Sequence, residues 1–162
     1  MKSRAPLLVA IIALVAFAGC RRTVQLSGGM APTINPGERV TIDYVAYQDT
    51  RLRRWDVVAF SPPMLPSNSL VLKRVIALPL ETISLTTNGI VINGRFLAMP
   101  AALSNVASFP SGTLLQPCAM KFPYTVPANN YFVIGDNWTN SLDSRYYGAV
   151  PVANIFGRVM NK

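Results

Sequence analysis

Beyond residue 38 apolar and polar residues alternate with period two, and β-branched side chains fill many of the apolar positions. This pattern predicts strands over 39–45, 55–60, 69–78, 82–86, 90–93, 131–135 and 154–160. Thr87-Asn88-Gly89 separates two of them, and Asn-Gly supplies the positive φ angles of a tight hairpin. No later segment carries a convincing helical period. Residues 98–127 break the alternation with Pro100, Pro110, Pro117, Pro123 and Pro127, which predicts an irregular excursion from the sheets. The expectation is an all-β fold over 23–162, built of antiparallel sheets from short strands, with no internal repeat.

The N-terminal residues 1–22 follow a different pattern. Lys2 and Arg4 precede an uninterrupted apolar run from Pro6 to Gly19, which closes on Cys20-Arg21-Arg22. About 14 apolar residues are fewer than the roughly 20 that span a bilayer as a helix, and they match the apolar core of an export signal. Three readings compete. In the preferred one the segment is an uncleaved single-pass anchor in the cytoplasmic membrane, with the β domain on its outer side. In the second, Phe17-Ala18-Gly19-Cys20 is similar to a lipoprotein signal, with Phe where Leu is usual. In the third, the segment is cleaved after a small residue.

Composition narrows the chemistry. The 162 residues, 51% hydrophobic and 14% charged, suffice for one globular domain and not two. The chain has no histidine, which excludes a Ser-His-Asp triad, a Cys-His dyad and a His-ligated zinc site. Its two cysteines, Cys20 and Cys118, form neither a disulfide framework nor a thiolate metal site, so no metal and no cofactor is expected. The net charge of +8 suits an anionic lipid surface or nucleic acid. Nucleic acid is disfavoured, because the basic run Arg51-Leu52-Arg53-Arg54-Trp55 offers one aromatic and leads straight into an apolar strand.

Any nucleophilic chemistry must therefore use a base other than histidine. Of the four lysines, Lys2 lies in the N-terminal tail, Lys162 ends the chain, and Lys73 is better placed than Lys121. Alternation over 69–78 sets Val71, Lys73, Val75 and Ala77 on one face and Leu72, Arg74, Ile76 and Leu78 on the other. An ammonium among apolar neighbours is disfavoured, so its pKa falls toward neutrality and the amine becomes a candidate general base. The competing reading is a strand lysine that snorkels to solvent. Two polar loops could meet it: Ser27-Gly28-Gly29-Met30-Ala31-Pro32-Thr33, and the segment from Gly135 to Arg145 with Asp136, Asn137, Asn140, Ser141 and Asp143. Each alone is ordinary turn chemistry.

In this order behind an apolar segment, the loops and the lysine strand resemble the type I signal peptidases, serine-lysine endopeptidases that remove signal peptides from exported proteins. The resemblance runs through residues 27–33, Arg54 to Phe60, Lys73 to Pro79 with Glu81, and 135–148. It implies an antiparallel β domain with a smaller lobe, and the partners it implies are the membrane and the signal peptides of exported preproteins or pilin-like proteins. In that family a serine directly before the methionine of the first loop is the nucleophile. Here that position is Gly29. The resemblance makes Lys73 the general base, Ser141 a hydroxyl that orients it, and Ser27 a contributor to the oxyanion hole. It makes Asp143 and Arg145 a supporting ion pair, Asp136 and Asn137 shapers of the nearby turn, and Met30 a packing residue. The chain departs from the pattern again at Leu80, where a glycine is usual, and at Trp138 and Thr139, where an Arg-Asp pair is usual.

Glycine offers no side-chain oxygen, so an acyl-enzyme cannot form at residue 29. Three functions follow as expectations. The first is a signal-peptidase-like protein that recognises preproteins and cleaves them poorly or not at all. The second is an active peptidase with a Ser27/Lys73 dyad, reached if Gly28 and Gly29 let the loop be redrawn. The third is a structural β-domain lipoprotein anchored through Cys20.

Overall fold

The computed structural model describes residues 20–24, 27–47, 51–65, 69–103 and 119–160. The apolar run of residues 6–19 and Cys118 lie outside the described residues. Among those described, no helix is long and apolar enough to cross a membrane.

The strands follow the alternating stretches with trimmed ends. They are β1 (Cys20–Val24), β2 (Arg39–Asp43), β3 (Val57–Phe60), β4 (Val71–Ala77), β5 (Thr82–Thr86), β6 (Gly89–Ile92), β7 (Arg95–Phe96), β8 (Tyr124–Thr125), β9 (Asn130–Ile134), β10 (Val150–Pro151) and β11 (Ile155–Val159). A seven-stranded sheet runs β1-β2-β11-β3-β4-β9-β10, and a four-stranded sheet runs β7-β6-β5-β8. The ladders of both sheets are antiparallel, as alternation predicted. A single-turn helix, α1 (Ser144–Tyr147), is capped by the Asp143 carboxylate, which accepts from Arg145 N. The Pro-rich excursion returns to regular structure as β8, which pairs with β5.

Central strand β3 is buried along its whole length and divides two cores. Val57 and Ala59 pack with Met30, Ile34, Val40, Ile42, Leu72 and Val159. Val58 and Phe60 pack with Val75, Val133 and Val150 on the other side. A third cluster joins the two sheets through Ile76, Ile83, Ile92, Phe132 and Trp138.

Two local expectations change. The ladder between β4 and β9 shifts register between Val75 and Ala77. This bulge puts Ala77 in the same cluster as Ile76, and Leu78 packs on the cluster of Val75, so the strict alternation expected over 69–78 fails after Val75. Lys73 precedes the bulge and keeps its register opposite Val58. The hairpin expected at Thr87-Asn88-Gly89 forms, with Thr86 opposite Gly89, but of Asn88 and Gly89 only the glycine has positive φ. The Asn-Gly pair with positive φ at both residues is Asn93-Gly94, at 50° and 79°, in the tight turn from β6 to β7. The alternating pattern had assigned Asn93 to the strand.

Candidate active site

Three segments converge on the Lys73 ammonium. The first is the loop after β1, where Gly28–Met30 form one 3-10 turn. Met30 is fully buried in the cluster beneath it and contributes about 1.5–3 kcal/mol of apolar burial, which pins the loop to β2 and β4. Ile34 N donates to Met30 O at 2.9 Å and Ala31 N to Gly28 O at 3.1 Å, closing the turn.

The second segment is β4, which presents Lys73 with only 3% of its surface exposed. Burial pushes the amine well down from the ordinary lysine range; Asp143 and then Asp136 oppose this, and Arg145 adds to it. Both carboxylates are already committed elsewhere. Asp136 takes a two-pronged pair from Arg74, Nε to Oδ1 at 2.9 Å and Nη2 to Oδ2 at 2.6 Å, while Arg74 Nη1 donates to Trp55 O. Asp143 takes the same fork from Arg145, with both contacts at 2.8 Å. Lys73 Nζ forms no ion pair or hydrogen bond with any described residue, and Lys73 lines the cleft that these segments form.

The third segment, from Gly135 to Asp143, leaves β9 and folds back over the first loop. Gly135 N donates to Asp143 Oδ2 and Val133 N to Ser144 Oγ, each at 3.0 Å, while Arg145 Nη1 holds Trp138 O at 2.8 Å. Asn137 ties the two loops together, its N–H on Gly29 O at 3.1 Å and its side-chain amide on Gly28 O at 3.2 Å. A β-carbon at residue 135 would overlap Ser141 Oγ and Gly29 O, so the close approach of the loops requires glycine there.

Gly29 is the residue that faces the amine. A β-carbon built on it would stand 3.0 Å from Lys73 Nζ, 3.5 Å from Asn140 O and 3.6 Å from Ser141 Oγ. Ser141 Oγ is buried and has no hydrogen-bond partner, so it is not bonded to the lysine. Ser27 is exposed at the start of the 3-10 turn, and its side chain does not cap that turn. The segments enclose a cleft of about 260 Å³. Lys73, Ser27, Asn140 and Ser141 are among its polar lining residues, and Val71, Met64, Leu65 and Leu142 among its apolar ones. Among the described residues, no cluster of His, Cys, Asp or Glu could hold a metal ion.

Of the residues singled out in the sequence, Lys73, Gly29, Ser141 and Ser27 line one cleft, while Asn137, Asp136, Asp143 and Arg145 bond the loops behind it and Met30 packs in the core below. Arg74, the partner of Asp136, escaped the sequence reading. Its signal was available: alternation puts it among Leu72, Ile76 and Leu78 on the face opposite Lys73, and a guanidinium among apolar neighbours needs a carboxylate. Trp138 is buried in the core under Arg145, 5.7 Å from guanidinium carbon to ring centre, and Thr139 is exposed. Leu80, 70% exposed, holds φ of 67°, a left-handed conformation that disfavours any residue with a β-carbon.

Residues 2–161 match the family described as signal peptidase, peptidase S26. Signal peptidase I of Leptolyngbya laminosa is 35% identical over 140 residues, covering 83% of this chain and 64% of that protein, so the chain spans less than two thirds of its length. Signal peptidase I V of Bacillus subtilis is 32% identical over 132 residues, 79% of this chain and 76% of the relative. A crystal structure of a signal peptidase I from Enterococcus faecalis V583 superposes with a TM-score of 0.54 at 31% identity, covering 68% of this chain and 98% of the other.

Proposed function

Because the chain belongs to the type I signal peptidase family, we propose that it recognises the signal peptides of exported preproteins and cleaves them poorly. Its substrates extend to pilin-like proteins, and its β domain works at the outer face of the cytoplasmic membrane, tethered by the apolar run that precedes β1 rather than by the whole of residues 1–22, since Cys20 to Arg22 belong to that strand. The observation that carries this reading is Gly29 against Lys73 Nζ. The amine is buried and unpaired as a general base would be, yet the residue it faces has no hydroxyl. The rest of the frame supports recognition, since a cleft lined by both apolar and polar residues can take an extended peptide. In this reading Lys73 acts as the base, Ser141 orients it once substrate is bound, the Asp143–Arg145 pair supports the loop, and Ser27 contributes to the oxyanion hole.

The test is Gly29→Ser. The new β-carbon sits 3.0 Å from Nζ, close enough to displace the flexible amine by a few tenths of an ångström and leave the hydroxyl in its reach. Preprotein cleavage is expected to rise by at least about 10³-fold, the scale on which a missing nucleophile is felt. Unchanged cleavage in a folded Gly29→Ser protein would remove the proposal. Ser27 lines the same cleft, and on that ground a Ser27/Lys73 dyad is the second reading. It requires Ser27→Ala to abolish whatever cleavage the unaltered chain has.

A further inference from the structure

The atoms nearest the space before the Gly29 α-carbon are polar. The nearest three atoms to its β-carbon position are the Lys73 amine at 3.0 Å, the Asn140 carbonyl at 3.5 Å and the Ser141 hydroxyl at 3.6 Å. Among the described residues Nζ is neither paired nor hydrogen-bonded, and Lys73 lines the cleft, while Ser141 Oγ is buried with no hydrogen-bond partner. Buried polar groups normally have partners, and a buried water usually supplies about three such bonds at once. Gly28 and Gly29 both line the cleft, so the position opens toward a bound peptide.

We infer that this polar nest binds one water molecule and that Lys73 activates it, so that the chain hydrolyses a bound peptide directly and without an acyl-enzyme. The inference rests on the recognition reading above. The water sits beyond the β-carbon position, about 3.3 Å from the α-carbon as an unbonded oxygen must. There it gives one hydrogen to the amine and one to Asn140 O, and keeps its lone pairs toward the cleft. In the reaction that oxygen bonds to the scissile carbonyl carbon while its proton passes to Nζ. The ammonium then returns the proton to the amide nitrogen as the C–N bond breaks. One water is consumed, a carboxylic acid and an amine are released, and the lysine ends neutral as it began.

The experiment follows cleavage of a fluorogenic preprotein peptide with an A-x-A-like site, with and without hydroxylamine, by the full chain and four variants. The unaltered chain is expected to cleave at least about 10³-fold more slowly than Gly29→Ser, and Lys73→Met to lower its rate by about a further 10²-fold. Gly29→Ala should fall equally far, because its methyl crowds the amine and takes the water's place. Gly29→Ser, bulkier still, controls for folding, and Lys121→Met on the exposed Lys121 should leave the rate unchanged. Hydroxylamine should capture a hydroxamate product from Gly29→Ser, through its ester intermediate, and none from the unaltered chain. A rate no higher than that of Lys73→Met, full activity in Gly29→Ala, or hydroxamate from the unaltered chain would each overturn the inference. If Gly29→Ser cleaves while the unaltered chain does not, only this inference fails; if neither cleaves, the recognition reading fails with it.

Discussion

Replacing Lys73 with methionine should stabilise the domain while removing its general base. The lysine is 3% exposed, its cross-strand partner is Val58, and the carboxylates near it are held by Arg74 and Arg145. A buried polar group without a partner costs about 1–3 kcal/mol by mutational measures, and methionine fills nearly the same volume without that cost. A gain of about 2 kcal/mol at pH 7 corresponds to a rise of roughly 6 °C in Tm for a domain of this size. The gain must also depend on pH. Burial lowers the folded-state pKa of the amine below its ordinary 10.5, so between the two values the unfolded chain binds the proton and the folded chain does not. The stability of the unaltered protein therefore rises with pH through that window, and the advantage of Lys73→Met shrinks as pH approaches 10.5. Urea denaturation of both proteins at pH 7 and at pH 10 measures this. A methionine variant that is less stable at pH 7, or whose advantage is the same at both pH values, would refute the view of Lys73 as a desolvated, unpaired amine.

The remaining outcomes concern the frame around that amine. Gly135→Ala, whose methyl would overlap Ser141 Oγ and Gly29 O, should cost about 1–3 kcal/mol in chemical denaturation and abolish the cleavage gained by Gly29→Ser. Arg74→Met strands the buried Asp136 carboxylate and should destabilise by about 3–5 kcal/mol; a loss under 1 kcal/mol would mean that the pair is solvated. Leu80→Gly relieves the left-handed backbone at an exposed residue and should stabilise by up to about 1 kcal/mol after the greater freedom of unfolded glycine is subtracted. A loss of stability in that variant would show that the exposed leucine makes contacts worth more than its strain.

The β-rich architecture was legible because alternation is local: a strand with one buried face must repeat every two residues, and Val, Ile and Thr mark it. The order of Ser27-Gly28-Gly29-Met30, Lys73 and Gly135 to Arg145 likewise marked the chemistry through residue types and their sequence. Departures from period two were not legible. The bulge after Val75 answers to the neighbouring β9, and the choice of Asn93-Gly94 over Asn88-Gly89 as the doubly left-handed turn is set by strand register. Both depend on partners distant in the chain.

The sequence by itself determined that residue 29 has no hydroxyl and that a lysine must serve as any base, since those are facts of composition and order. Only the tertiary structure decided that Gly29 faces the amine, and that both nearby carboxylates are held by arginines. The physical reason is range. Backbone preference acts over a few residues, whereas desolvation and ion pairing depend on which segments the two sheets and their loops bring within a few ångströms of one another.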